Sequence, residues 1–548
     1  MEKIDGSLFN IGAAYSHCSK RLQQGWCSES EPSASPQQPE QSVKPNNSGE
    51  PVTWDSESLS WKQNNSPVEF TAYIDFDWYG VDTWGKDEVG AEIAKRTGVN
   101  LKVTKGTDLN QLQVLLASDE LPDLIFTTNL VERFHDPEVA WPWDELIDQY
   151  APEFRELLDP VEIVNNTVDD GHFYTLKTHY NNEEAWNNPQ NLPSPGDPGF
   201  FLREDIMQEL GNPKLESFED LMSIFDQVHE KYPDLLVYIP HPTWTNALMD
   251  MMGLSKYHYA DEDGNVKVSF NDPTFKDYFK FMNELYRKGY MSVESFTYKP
   301  EQFLQIVRSG KVFSASYNTA LADDTNKIYD ENKMDAKLMP LMTALTYGGE
   351  QRFKILDPLV GWASFFISKK VKDPARAIQF IEFLKSPEGD ALTQWGIEGQ
   401  HYTKTADGFL QRPEEMDGRK QTETGIGAWY FQASGLGEGI VVSSQKLTNP
   451  KYSTAVDLLQ FRKQYYYRDP ALSFTKPLAD TDEFNINVKL TELFTNSQVG
   501  IMTAASAEEV EKAYDKMMED ARKIGIEKLE TYMTARYKDA KEKYKDLR

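Results

Sequence analysis

The stretch Asp75-Phe76-Asp77-Trp78-Tyr79-Gly80, with Trp84 close behind, sets two carboxylates among flat aromatic rings. Carboxylates accept hydrogen bonds from hydroxyls, and an aromatic face covers the C–H face of a polar ring. A pyranose sugar asks for both. The alternative is that Phe76 and Trp78 pack beneath their loop. Other groups of the same kinds stand at Trp244, at Tyr317-Asn318, at Trp362 and at Trp429-Tyr430. Trp244 is either a platform or part of a core. Arg203 is the one candidate partner for a ligand carboxylate; its alternative is an ion pair with Glu204 or Asp205.

Catalytic arrangements are poorly matched. A glycosidase places its two carboxyls on different strands or loops, about 5–10 Å apart. Asp75 and Asp77 instead lie two residues apart in one loop. The eight histidines form no HExxH pair, and no Gly-x-Ser-x-Gly elbow occurs. Gly435-Leu436-Gly437-Glu438-Gly439 lacks the Lys-Ser/Thr ending of a phosphate-binding loop, and no dinucleotide fingerprint opens a helix. Asp261, Asp263 and Asn265 lack the downstream bidentate Glu of a calcium loop. Neither a metal nor a cofactor is expected.

The totals narrow the classes further. A chain of 548 residues exceeds what one core usually fills, so two lobes are expected. Its 57 Lys and Arg against 87 Asp and Glu give a formal charge of −30, which opposes binding to nucleic acid or anionic lipid. Cys18 and Cys27 are the only cysteines, which leaves the remainder without disulfides, thiolate zinc sites or a cysteine nucleophile. Residues 1–66 are rich in Ser, Pro, Gln and Asn and read as a disordered leader and tether.

The aromatic and acidic groups need elements to hold them. Strands at 69–74, 99–103 and 121–127 alternate with helices at 86–97 and 109–117, the pattern of a parallel α/β sheet. Residues 172–180 read extended and lead into an Asn- and Pro-rich segment containing Trp186, which either lines a cleft mouth or is ordinary surface. Phe200–Arg203 reads as the opening of a helix that Gly211 stops. Ser217 caps the next helix, 235–239 is a strand, and Asp263-Gly264-Asn265 marks a hairpin. Phe275, Tyr278, Phe279, Met282, Leu285 and Tyr286 recur at helical spacing and read as core. Trp141 and Trp143 flank Pro142 as a packed cap. A strand at 362–368 precedes a helix at 375–385, and the tail from Ser506 is helical with Val510, Tyr514, Met517 and Met518 on one face. Ligands in α/β sheets sit beyond the carboxyl ends of strands, so the loops after strands are the places to look.

Four stretches carry a family likeness. They are 201–211, an Arg-acid helix ending in Leu-Gly; 303–313, a helix-Gly-Lys-strand; 367–377 with Phe383-Leu384-Lys385-Ser386-Pro387-Glu388-Gly389; and Trp395-Gly396-Ile397-Glu398-Gly399-Gln400-His401-Tyr402. In this order the chain resembles the extracellular solute-binding lipoproteins of carbohydrate ABC importers, and is similar to the long members that include alginate-oligosaccharide-binding proteins. The resemblance implies a periplasmic-binding-protein-like α/β fold, with two lobes hinged about a ligand cleft. Residues 67–178 and 357–430 would form one lobe, 179–356 and 431–505 the other, and 506–548 would dock on a lobe. It also implies a monomer outside the cytoplasm that passes an oligosaccharide to permease subunits. Tyr317 falls where relatives place a stacking aromatic, and Trp362 where the chain crosses between lobes. Cys27, heading the tether, resembles a lipidation point, although Gln24 and Trp26 stand where the usual signal has Leu and a small residue. Binding of a peptide or other non-sugar solute, or a carbohydrate-active enzyme, remain the alternatives.

Overall fold

The computed structural model describes residues 58–545, apart from 77–78, 80–84, 107–108, 189–190, 194–195, 243–245, 359–360, 405–409, 414–415, 417–418, 429–449 and 479–480. Along the chain come β1 (Val68–Ile74), α1 (Glu88–Thr97), β2 (Val99–Lys105), α2 (Leu109–Ala117) and β3 (Leu124–Thr127). Asp87 caps α1 by accepting from the Gly90 amide, and Gly98 ends it at φ 73°. Next are β4 (Pro198–Arg203), α3 (Phe218–Lys231), β5 (Leu236–Pro240), α4 (Thr274–Arg287), β6 (Val312–Asn318) and β7 (Leu338–Pro340). The chain then returns through β8 (Ile355–Asp357), β9 (Ser364–Ile367), α5 (Pro374–Lys385) and β10 (Tyr466–Arg468). It ends in α6 (Asp482–Met502), α7 (Ala507–Ile524) and α8 (Ile526–Lys545).

Two four-stranded sheets result. One has the order β9-β3-β1-β2, parallel except for β9, which runs antiparallel to β3 with Ser364 opposite Thr127. The other has the order β5-β6-β4-β7, with Pro198 of β4 opposite Asn318 of β6. Both are covered on both faces. Phe70, Ala72 and Ile74 enter one core of the first lobe while Tyr73 enters the core behind it. Phe200 and Leu202 likewise point to one side of the second sheet and Phe201 to the other.

This two-sided burial corrects the reading of Phe200–Arg203 as a helix start. Every residue of β4 is buried, so its apolar run shows no alternation, and the helix begins at Glu204. Tyr317 and Asn318 close β6 instead of following it, and Trp362 sits in the turn before β9. Residues 172–180 form turns and isolated pairings, not a strand. The predicted core face of α4 is buried as read, with Tyr286 partly so. Trp143 is fully buried, and the ring of Trp141 carries Lys369 Nζ 3.3 Å from its centroid. The last three helices share the core of the second sheet, where Val510, Tyr514, Met517 and Met518 meet α4.

Two distant chain segments meet at Thr178. Its amide donates to the Ala363 carbonyl (3.0 Å), and the Trp362 amide donates to its carbonyl (2.7 Å). Gly361, at φ 68°, allows this approach, because a Cβ there would lie 2.7 Å from the Thr178 oxygen. Beside it, β8 and β10 pair in parallel, with Asp357 opposite Arg468. The Arg468 guanidinium reaches Asp357 (3.2 Å), Glu183 (3.2 Å) and the Asn181 carbonyl, tying three segments together.

Order begins earlier than the composition implied. Residues Ser60–Gln63 form a 3-10 turn, which corrects the reading of residues 60–66 as part of a disordered tether. Trp61 is buried edge-on against Phe383 at 4.7 Å. The Ser60 and Trp61 amides donate to Glu382 at 3.2 and 2.8 Å. A buried carboxylate with two amide donors explains why this polar segment folds down. A chain starting at Ser58 is expected to melt above one starting at Pro67, since losing a buried Trp commonly costs about 3–5 kcal/mol. Equal melting by calorimetry would contradict the docking.

Burial pushes the Glu382 carboxyl up to about 7 from its ordinary 4.5, in spite of the two amides. The folded state therefore keeps a proton that the unfolded chain gives up at lower pH. Stability tied to this group is full below about 4.5 and is lost as pH rises through about 7. Glu382→Gln should melt with a flatter pH profile across that window, and an unchanged slope would refute the assignment.

Candidate functional site

On the first lobe the carboxyl ends of β1 and β3 bring together groups far apart in sequence. Asp75 extends β1 by donating its amide to the Phe126 carbonyl (2.9 Å). Its carboxylate accepts from Thr127 Oγ1 (2.7 Å), Asn129 Nδ2 (2.9 Å) and Tyr73 Oη (3.2 Å). Three donors hold it in one orientation, while a carboxylate offers about four acceptor directions. The group is buried and pre-oriented.

The neighbouring ring of Phe76 lies 5.2 Å from Phe126 and 5.0 Å from Trp362. Trp362 also meets Phe126 edge-on at 5.8 Å and His179 at 5.5 Å. With that support it is still 38% exposed, unusual for so large an apolar side chain. An indole packed on two phenyl rings and partly exposed is a stacking surface.

On the second lobe, the carboxyl ends of β5 and β6 place His241 flat on Tyr317, with centroids 4.3 Å apart and planes within 15°. Phe303 closes the pair from the edge of His241 at 4.9 Å. Burial lowers the His241 pKa to about 4, so the ring is neutral at ordinary pH. Tyr317 and Asn318 remain half-buried at this edge.

A cavity of about 160 Å³ reaches from His179, beside Trp362, to Pro198, which pairs with Asn318. Its walls include Trp186, Asp197, Asp250, Asp357 and Arg462. Arg462 is almost wholly buried, with Asp250 at 2.7 Å and Asp197 at 3.6 Å. Burial alone would lower its pKa, but these carboxylates more than offset that and hold it charged. Trp186 stands 5.1 Å from Tyr466, with Lys463 and Arg468 over its ring. Trp186 thus takes the cavity-wall reading and not that of ordinary surface.

The structure therefore brings Asp75 and Trp362 together on one lobe edge, and Tyr317 and Asn318 onto the other. Arg203 is a correction. It lies at the opposite end of β4, where Asp205 takes its guanidinium at 2.8 and 2.6 Å and the Gly310 carbonyl accepts at 2.6 Å. Its neighbouring acid outcompetes any ligand, and the sheet's direction points it away from the cleft. Asp77, Trp78, Trp244, Trp429, Tyr430 and Cys27 lie outside the described residues. Asp197, Asp250, His179 and Arg462 were missed by the sequence reading. Nothing local marks Arg462, since its partners lie more than 200 residues away along the chain. Asp261, weighed above as a metal ligand, accepts instead from the Asp263 and Asn265 amides and shapes the hairpin.

No family model matches the chain, and no curated protein does. Solved structures do match it over nearly their whole length. A Streptococcus pneumoniae ABC-transporter substrate-binding protein in complex with kestose aligns with TM-score 0.66 at 15% identity, covering 87% of this chain and 100% of that one. An alginate-binding protein without calcium ion aligns with TM-score 0.63 at 17% identity, covering 87% and 99%. A human-milk-oligosaccharide (HMO)-binding solute-binding protein from Bifidobacterium longum infantis gives TM-score 0.60 at 12% identity, covering 86% and 99%. The fold is that of the periplasmic-binding-protein-like solute-binding proteins, two α/β lobes hinged about a cleft.

Proposed function

We propose that this chain is the extracytoplasmic substrate-binding component of an ABC importer. It captures an oligosaccharide between its lobes and delivers it to the permease, without altering it. The observation that carries this reading is the Asp75–Phe76–Trp362 arrangement at the edge of the first lobe. An exposed indole and an oriented carboxylate at the same sheet edge suit a sugar ring, whose C–H face stacks while its hydroxyls donate. The His241–Tyr317 pair offers a second aromatic surface from the other lobe. Structural neighbours that bind kestose, alginate and HMO support a carbohydrate ligand.

Trp78, Trp244, Trp429 and Tyr430 belong to loops of the same polar-aromatic kind and complete the proposed site. The proposed partners are permease subunits, and the proposed state is a monomer. Lipidation at Cys27 would hold it at the membrane through the leader.

Truncating an aromatic anchor in a desolvated site commonly costs about 2 kcal/mol, roughly thirtyfold in affinity. Trp362→Ala is expected to keep ligand-free melting close to wild type, because the ring is well exposed, yet to bind its oligosaccharide at least about tenfold more weakly. Calorimetry and melting on the same variant separate the readings. Normal affinity in a folded variant would remove Trp362 from the site, and a large fall in ligand-free melting would return it to the core. Recovered ligand should be intact by mass spectrometry.

A further inference from the structure

A groove of about 620 Å³ runs under α6 and meets the cleft cavity at Ser255 and Lys256. Its size falls within the roughly 300–1,000 Å³ usual for small-ligand sites. The helix above it is oddly made. Of its 21 residues only Leu490, Ile501 and Met502 are buried. Helices normally turn an apolar stripe toward what they cover. Here α6 lines the groove with Asn487, Thr491, Thr495 and Gln498, an uncharged polar row at successive helical turns, beside Leu490, Phe494, Val499 and Met502.

The opposing wall is aromatic. It includes Phe270, Phe275, Tyr278 and Phe296, and from α6 itself Phe494 stacks on Phe270 with centroids 5.0 Å apart and planes within 6°, while Phe275 meets Phe494 edge-on at 5.6 Å. Asn487 is held in place, since its Oδ1 lies 3.3 Å from His258 Nε2 while His258 Nδ1 accepts the Ser269 amide at 3.2 Å. That pattern fixes the neutral tautomer with Nε2–H donating, and burial lowers the His258 pKa accordingly. Among the described lining residues there is no Asp or Glu, whereas the cleft cavity carries Asp197, Asp250 and Asp357.

We propose that the groove beneath α6 is a second subsite, taking an uncharged arm of the ligand, so that the protein binds a long or branched neutral oligosaccharide. The inference rests on the reading of the cleft as a sugar site. Amides and hydroxyls facing aromatic rings match the hydroxyls and C–H faces of neutral sugars. An anionic arm would find Lys256 only at the groove mouth, and an apolar peptide helix would leave the polar row of α6 unpaired against it.

Thr491→Trp tests this from an exposed helix position by filling the groove, and Asn487→Ala removes the oriented amide. Neutral hexose trisaccharides and linear or branched octasaccharides are titrated by calorimetry into the full chain. Wild type should bind the best octasaccharide at least about tenfold more tightly than any trisaccharide. Both variants should lose that gain and keep trisaccharide affinity. Octasaccharide affinity unchanged in both variants, or no gain with length in wild type, would overturn the second subsite alone. Groove-dependent capture of an apolar peptide with glycan affinities unaffected would overturn it in favour of a peptide. Failure of wild type to bind any glycan would overturn the sugar reading itself.

Discussion

Two backbone hydrogen bonds, from Thr178 to Ala363 and from Trp362 to Thr178, hold the candidate site where the lobes meet. They place the chain leaving the first lobe against the chain returning to it, at the carboxyl edge of the first sheet. Trp362 is thereby delivered onto Phe76, and His179 is turned at φ 61° onto the flank of the indole. Gly361 is required because any Cβ would strike the Thr178 carbonyl. The same crossing continues into the Arg468 cluster, whose guanidinium bonds three segments at once.

The two lobe edges differ in how they are prepared. On the first, three described polar groups are already oriented: Asp75 by three donors, Thr127 and Asn129 by Asp75 itself. Fixed partners reduce the ordering cost of binding. On the second, His241 and Tyr317 stack on each other, and Arg462 is committed to Asp250 and Asp197. The buried arginine shapes the cavity floor and lends rigidity, and its charge is answered within the protein.

Much of this was legible in the chain, and the failures have physical causes. The run from β1 to β3 could be read because half-buried helices repeat their apolar residues every three to four positions and strands are bounded by turn residues. Asp75 was singled out by the rule that ligands sit beyond strand ends, and Trp362 by its place at the crossing that the family resemblance implied. β4 was misread because a strand buried on both faces loses its alternation, and the Arg-acid pair behind it imitates a helix start. Trp61 was hidden in a polar stretch whose anchor, Glu382, lies 321 residues away. Arg462, Asp197 and Asp250 meet only through the fold. The long α6 escaped notice because Asn, Thr and Gln residues interrupt its apolar positions at Ile486, Leu490, Leu493, Phe494 and Ile501.

The central claim is that the two lobe edges close on a sugar. X-ray scattering of the full chain, with and without a saturating oligosaccharide whose binding is established by calorimetry, tests it most directly. Hinge closure predicts a smaller radius of gyration in the liganded state, and Trp362→Ala at the same sugar concentration should give the open profile. An identical profile with and without bound sugar in the wild type would contradict closure and leave a rigid pocket in its place.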